Sequence, residues 1–157
     1  MKKIIVATDF SPAAMGAANY GTDMAVAIKA DLLLLHTYQL PVNVSEVPIV
    51  INETELREAA ENDMAGLKTD LEKKAAGKVK IKTEVLEGAF FYKLKEVCDR
   101  EMPDVVVIGS QGSTASDRFF FGSLAVNAMK NLEWPLVTVP VGATYSTIKK
   151  IGLACDL

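Results

Sequence analysis

Five short apolar runs alternate along the chain with amphipathic stretches. The runs at residues 3–8, 31–37, 104–108 and 136–139 are nearly uninterrupted, which is typical of parallel strands buried on both faces. Residues 79–85 alternate apolar with charged side chains and predict a more exposed strand. Between the runs, apolar residues recur at three- and four-residue spacing, which predicts helices after Ser11, from Thr54, after Gly88 and from Gly122. Residues 38–53 show no period and predict a long loop. This alternation predicts one α/β domain with a parallel sheet and helices on both faces.

The first helix has clear local signals. Ser11 is a suitable N-cap, and Pro12 suits the first helical position. Small residues recur on one face of this helix, at Ala14, Ala17, Ala18, Gly21 and Ala25. Such a stripe predicts that the helix lies close against the sheet.

Composition narrows the class of protein. The chain has 157 residues, half of them hydrophobic, and a formal net charge of -3, which suits a single folded domain and gives no general attraction to nucleic acid or anionic lipid. Cys98 and Cys155 are too few for a disulfide framework and are interpreted as reduced thiols. No signal peptide or transmembrane run is evident, so we expect a cytoplasmic protein with no nucleic-acid or membrane partner.

Candidate ligand-binding residues follow the first and fourth strands. In an open parallel sheet, ligands bind beyond the carboxyl ends of the strands. Thr8-Asp9-Phe10-Ser11 follows strand one, Gly109-Ser110-Gln111-Gly112 follows strand four, and Gly122-Ser123 opens the last helix. Glycines and a helix N-terminus can cradle a phosphate, and an aspartate can accept hydrogen bonds from ribose hydroxyls. Read separately, the same residues have simpler explanations. Gly109 and Gly112 also fit a tight turn, Asp9 fits a cap for the first helix, and Gly122-Ser123 fits an ordinary N-cap pair.

The spacing of these residues resembles that of a known family. Gly109-x-x-Gly112, nine residues, then Gly122-Ser123 is similar to the ATP-binding signature of the universal stress proteins. Thr8-Asp9-Phe10-Ser11, Leu35-His36, Gly88 and Trp134-Pro135-Leu136-Val137 also fall where that family has similar elements. The resemblance covers residues 2–140.

The resemblance implies a Rossmann-like fold of the adenine nucleotide alpha hydrolase type. It implies an open parallel five-stranded sheet in the order 3-2-1-4-5, and a cofactor that is ATP, ADP or AMP, with Mg²⁺ or Mn²⁺ as a companion. Asp9 would meet the ribose, and Ala7, Thr8 and Thr37 would line the adenine pocket. The residues expected around the ribose and phosphates are Gly109, Gly112, Gly122, Ser123 and Leu124. Catalytic and protein-bound metal residues are not assigned.

The chain departs from the family pattern at two positions. Ala7 stands where members often have proline, and Phe90 stands where they often have proline or a small residue. The resemblance also implies a homodimer, or a pseudo-dimer with a second repeat. The last strand, residues 136–139, is expected at a sheet edge where it could pair with another copy. Phe119, Phe120 and Phe121 either pack on the last helix or contact a partner.

The C-terminus repeats the start of the chain. Residues 150–157 match residues 3–10 at four of eight positions, including an aspartate. We therefore expect a nucleotide-binding domain over residues 1–141, followed over 142–157 by a linker and the first strand of a truncated second repeat. A chance likeness between two strand-and-turn segments is the alternative.

Other kinds of site have little support. His36, the only histidine, ends a leucine-rich strand and is interpreted as a hydrogen-bonded packing residue rather than a catalyst. With one histidine and no paired cysteines, a zinc site of His and Cys is unsupported. The sequence also lacks the Gly-x-Ser-x-Gly motif of hydrolases and the P-loop motif of nucleotide-binding proteins. The sequence therefore predicts an ATP-binding regulatory or stress-response domain, with slow ATP hydrolysis at most. A nucleotide-free interaction module and an ATP-using enzyme of a related fold remain the alternatives.

Overall fold

A computed structural model describes residues 2–40, 52–110 and 123–152. Strands and helices alternate through these ranges, as the apolar pattern predicts. The elements are β1 (Lys3–Ala7), α1 (Pro12–Ile28), β2 (Asp31–Tyr38), α2 (Glu53–Ala75), β3 (Ile81–Glu87), α3 (Phe90–Glu101), β4 (Val105–Gly109), α4 (Ser123–Asn131) and β5 (Leu136–Val139).

The strands form one sheet in the order β3-β2-β1-β4-β5. Every neighbouring pair is parallel, and Ile5 in the middle of β1 lies beside Leu33 of β2 and Val106 of β4. The predicted fold class and strand order are therefore confirmed. Chain order reverses between β1 and β4, so these two strands flank the point where such sheets bind ligands.

Two apolar layers cover the sheet. One joins α1 and α2 to alternate residues of the strands, including Val6, Leu34 and Val107. The other joins α3 and α4 to the opposite set, including Ile5, Leu35 and Val106. Because side chains alternate across a strand, the long apolar runs bury both faces, as expected for central parallel strands.

The predicted start of α1 is confirmed. Ser11 is the N-cap, Pro12 begins the helix, and the Ser11 hydroxyl accepts a hydrogen bond of 3.2 Å from the backbone N–H of Ala14. This cap satisfies one of the free N–H groups that every helix start exposes.

The predicted loop over residues 38–53 is wrong at both ends. β2 continues through Tyr38, where its pairing with Glu87 of β3 extends the ladder. α2 begins at Glu53, because the Asn52 side chain accepts from the N–H of Thr54 and caps it. Residues 41–51 lie outside the described part.

The third strand begins at Ile81, not at residue 79 as predicted. α2 ends at Ala75, Ala76 takes a left-handed conformation with φ of 48°, and Gly77 follows with φ of 74°. This turn occupies the residues before the strand. Among the described residues, no helix combines the length and hydropathy that a membrane span needs.

Cys98 lies on the buried face of α3, and its thiol is unreactive in the folded protein. Its side chain has no exposed surface, and burial, with a contribution from Asp99, raises the pKa of its thiol from 9.0 to about 12. The thiolate is the reactive form of cysteine. Cys98 is therefore protected from thiol reagents while the protein is folded.

We expect a Cys155→Ser variant, which keeps Cys98 as its single thiol, to react with a thiol reagent only as fast as it unfolds. The unfolded chain loses the thiol proton above pH about 9, whereas the folded chain keeps it to about 12, so stability should also fall as pH rises through that interval. Labelling rates in native buffer and in urea test this. Native labelling at the rate of a free cysteine would contradict it.

Candidate functional site

The turn after β1 is held in one conformation by three side chains. The Thr8 hydroxyl accepts a 3.0 Å hydrogen bond from the N–H of Phe10, and the Asp9 carboxylate accepts one of 3.0 Å from the N–H of Ser11. Ser11 in turn caps α1. Local bonds of this kind favour a turn over continued strand or helix. The turn therefore presents Asp9, which is exposed, at a fixed place beyond the carboxyl end of β1.

Phe10 occupies a backbone conformation that favours glycine. Its φ is 60°, a left-handed value that few bulky residues adopt. The ring is partly buried and lies 4.6 Å from the His36 ring, measured between centroids. The ring contact and the hydrogen bond from Phe10 to Thr8 hold this residue in its strained conformation.

His36 braces the same turn. Its Nδ1 lies 2.8 Å from the carbonyl oxygen of Thr8. Because a carbonyl only accepts, Nδ1 carries the proton and donates. With its ring against Phe10 and its nitrogen bonded to the backbone, His36 is a packing residue, as interpreted from the sequence.

Three residues of the predicted adenine pocket lie at the carboxyl ends of β1 and β2. Ala7 is buried in the layer beneath α3 and α4. Leu35 belongs to that layer as well, so Thr37, two residues further along β2, points to the same side. Thr8 is buried, and its N–H donates to the carbonyl of Leu35. The expected pocket is therefore on the α3 and α4 side of the sheet.

Gly109 has a structural task that the sequence did not reveal. A Cβ built on it would lie 2.9 Å from the carbonyl carbon of Ala13 and 3.0 Å from the backbone nitrogen of Ala14. The first turn of α1 thus rests directly on the end of β4. Gly109 lies at the edge where phosphates are expected, and it is also the spacer that lets α1 approach.

Two of the remaining predicted phosphate residues belong to the first turn of α4. Ser123 is the first residue of α4 and Leu124 the second, but their side chains are outside the described part. Gly112 and Gly122 also lie outside it, as do Phe119 to Phe121. The N-terminus of α4 follows β4 in the chain, and α4 covers the same face as α3 through Ala125 and Ala128.

A cavity of about 590 Å³ opens beside Thr37. Its size falls within the range of small-ligand pockets, about 300–1,000 Å³. The walls come from the end of β2, the first turn of α3 and the exposed side of α4, namely Thr37, Gln39, Ala89, Phe90, Phe91, Tyr92, Asn127 and Asn131. Of these, the sequence singled out Thr37 as a site residue and Phe90 as a departure from the family pattern.

The model of the Universal stress protein family matches residues 1–140. Universal stress protein MJ0531 of Methanocaldococcus jannaschii is 28% identical over 143 residues, which cover 88% of this chain and 81% of that protein. The structure of universal stress protein UspA from Lactobacillus plantarum aligns with a TM-score of 0.73 at 18% identity, covering 88% of this chain and 97% of the other.

Some structures with the same fold are described with bound adenine nucleotides. A universal stress protein in complex with cAMP aligns with a TM-score of 0.66 at 17% identity, covering 90% of this chain and 98% of that one. The Archaeoglobus fulgidus protein in complex with dAMP has a TM-score of 0.62 at 17% identity, with coverages of 88% and 98%. An Arabidopsis thaliana family protein with AMP bound has a TM-score of 0.58 at 19% identity, with coverages of 91% and 94%.

The family match runs from the first strand through the last. It spans the strand pair β1 and β4, the braced turn at residues 8–11 and the helix that begins at Ser123. This chain belongs to the universal stress protein family.

Proposed function

We propose that this domain binds an adenine nucleotide, with ATP as the first candidate, across the carboxyl ends of β1 and β4. The observation that carries the proposal is the position of the Thr8–Ser11 turn at the reversal of strand order, beside the strand that leads to α4. Ligands of open α/β sheets bind at this position. The cAMP, dAMP and AMP complexes of proteins with the same fold support an adenine nucleotide.

In this arrangement each part of the nucleotide has its own partners. Asp9 accepts hydrogen bonds from the ribose, and Ala7, Thr8 and Thr37 surround the adenine. Gly109, Gly112, Gly122, Ser123 and Leu124 surround the ribose and phosphates. The phosphates lie at the N-terminus of α4, where free N–H groups and the helix dipole favour an anion.

A divalent ion would bind together with ATP rather than at a site formed by protein side chains. Among the described residues, no group of three or more His, Cys, Asp or Glu side chains is arranged so that it could hold a metal ion. Mg²⁺ in nucleotide sites keeps several waters and takes ligands from the phosphates. In this proposal the phosphates and water supply most ligands of Mg²⁺ or Mn²⁺.

Nucleotide identification tests the proposal directly. Mass spectrometry of small molecules released from denatured, freshly purified protein should find ATP, ADP or AMP in near-stoichiometric amount, and calorimetry should then measure binding of each to the emptied protein. Protein without nucleotide that also fails to bind all three would favour an interaction module instead. Rapid release of pyrophosphate or another product from ATP would favour the enzyme alternative.

Replacing Gly112 with valine should weaken ATP binding by at least tenfold, about 1.4 kcal/mol. A branched side chain would fill the space that the phosphates need in the glycine motif. Calorimetric titration of the wild type and Gly112→Val with ATP measures the difference, and Gly66→Ala, at a helical position with no atom within 4 Å of the added carbon, is the control. Equal affinity in the Gly112 variant would count against this phosphate site.

We also propose self-association through the edge of the sheet. β5 pairs with β4 and is last in the strand order, so among the described residues its other edge has backbone groups available for a second strand. The partner is a second copy of this domain or a second repeat in a longer chain. The role proposed for such an assembly is nucleotide-dependent regulation in the cytoplasm.

The C-terminal segment fits the proposed division at residue 141. Residues 142–152 contain no helix or strand, and Tyr145 packs edge-on against Tyr20 of α1 with ring centroids 5.3 Å apart. The linker would therefore begin along α1. Most of the repeated segment, residues 153–157, lies outside the described part.

A further inference from the structure

We propose that Asn127 and Asn131 determine base specificity by reading the polar edge of a purine that enters the cavity between α3 and α4. This inference rests on the proposed function, which puts adenine against Thr37. The cavity begins at Thr37 and extends along α4. A base over Thr37 would direct one edge into it.

The first turn of α3 supplies an aromatic wall to this cavity. Phe90 and Phe91 are half-buried and line the cavity, so both keep surface available to a ligand. Tyr92 lies next to them with its ring 6.2 Å from that of Phe91 and is 75% exposed. Aromatic side chains provide stacking surfaces for nucleobases. The wall therefore suits a flat ring.

The amide groups on α4 are oriented by their own hydrogen bonds. The Asn131 amide nitrogen donates to the backbone carbonyl of Asn127 at 3.0 Å and to its side-chain oxygen at 2.7 Å. These two bonds use both hydrogens of the Asn131 amide. They leave the Asn131 side-chain oxygen as an acceptor and the Asn127 side-chain nitrogen as a donor, neither engaged by any described residue.

This pair of groups complements adenine better than hypoxanthine. Adenine has an amino donor at position 6 next to a ring-nitrogen acceptor, which matches an acceptor from Asn131 and a donor from Asn127. Hypoxanthine has a carbonyl at position 6, which would face the oxygen of Asn131. With the sugar and phosphate held in the proposed site, turning the base over requires rotation about the glycosidic bond, which would move this edge of the base away from the two asparagines.

The test compares AMP and IMP, which differ only in the base. We expect wild-type protein to prefer AMP by about tenfold or more, since one misplaced hydrogen bond in a bound ligand costs about that factor. Asn131→Leu and Asn127→Leu should each lose most of this preference, mainly through weaker AMP binding, while affinity for ribose 5-phosphate stays unchanged. Both positions are exposed, so the variants should fold, which circular dichroism can verify.

Asn19→Leu is the matched control. Asn19 is an exposed asparagine on α1 that also donates to the carbonyl four residues earlier, but it lies on the opposite layer of the sheet. Its substitution should leave the AMP-to-IMP ratio at the wild-type value. In the saturated AMP complex, nuclear Overhauser effects should connect the adenine protons with the rings of Phe90 and Phe91.

Two results would overturn the inference while the proposed function stands. One is AMP binding with an unchanged AMP-to-IMP ratio in both asparagine variants. The other is a saturated AMP complex without contacts from adenine to the α3 aromatic rings. Wild-type protein that binds neither ATP nor AMP would overturn the proposed function and this inference together.

Discussion

Replacing Gly109 with alanine should destabilise the protein by about 3 kcal/mol, near the upper end of the usual cost of overpacking. The added carbon would lie 2.9 Å from the carbonyl carbon of Ala13 and 3.0 Å from the carbonyl oxygen of the same residue. These atoms belong to the helix backbone, so relief requires that the first turn of α1 move away from β4. The midpoint and slope of urea unfolding measure the change.

Gly152→Ala is the control for Gly109→Ala. A Cβ at Gly152 has no other described residue within 4 Å beyond its chain neighbours, so the unfolding midpoint of Gly152→Ala should match that of the wild type. An unchanged midpoint in Gly109→Ala would show that α1 can retreat from the sheet at little cost. The variant also matters for function, because the Thr8–Ser11 turn leads into α1. Reduced nucleotide affinity in Gly109→Ala alone would thus not identify Gly109 as a phosphate contact.

Two alanine substitutions in α1 should have opposite effects. A Cβ at Gly21 would lie 2.6 Å from Cγ2 of Val6, whereas a Cβ at Gly16 would have no described atom within 4 Å apart from the nearby backbone of its own helix. Gly21→Ala should lower the free energy of unfolding by about 2 kcal/mol through overpacking. Gly16→Ala should raise it by about 0.5–1 kcal/mol, because alanine loses less backbone freedom on helix formation. Urea unfolding of both variants tests the pair.

A double-mutant cycle identifies the cause of the Gly21 effect. Val6→Ala alone should destabilise by leaving a void, but combining it with Gly21→Ala should cost less than the sum of the two changes, because the new methyl enters the vacated space. Strict additivity would mean that the clash with Val6 is not the cause. A destabilised Gly16→Ala would indicate an unrecognised contact on the outer side of α1.

The stripe of small residues on α1 was the most informative local pattern. It predicted close approach to the sheet, and Ala17, Ala18 and Ala25 are fully buried there. The same reasoning does not extend to Gly109, because its place in the Gly109-x-x-Gly112 motif predicts phosphate binding. A glycine that allows a helix to pack closely on a strand cannot be distinguished, from sequence alone, from a glycine that contacts an anion. The two roles become distinguishable once the neighbouring backbone is known.

The braced turn was predictable in its chemistry but not in its shape. Ser11 and Pro12 predict the start of the helix. The position of His36 at the end of an apolar strand predicts its packing role. No sequence signal predicted the left-handed conformation of Phe10, because such positions usually hold glycine or asparagine. Its ring contact with His36 joins the turn after β1 to β2, which local sequence cannot specify.

The cavity beside Thr37 could not be predicted from local patterns either. Its walls belong to β2, α3 and α4. These elements are far apart in the chain and are neighbours only in the folded protein. The bulky Phe90, where relatives often have a smaller residue, was the single sign that this region differs. The asparagines of α4 carry no sequence signal that distinguishes them from other polar residues of an amphipathic helix.

The direct contact between α1 and the end of β4 limits how the proposed nucleotide crevice could respond to a ligand. The backbone of Ala13 and Ala14 packs directly on Gly109. A wedge-like opening between β4 and the first turn of α1 would separate these packed backbone atoms. If the domain binds nucleotides as proposed, elements other than this closely packed floor would discriminate among mono-, di- and triphosphates.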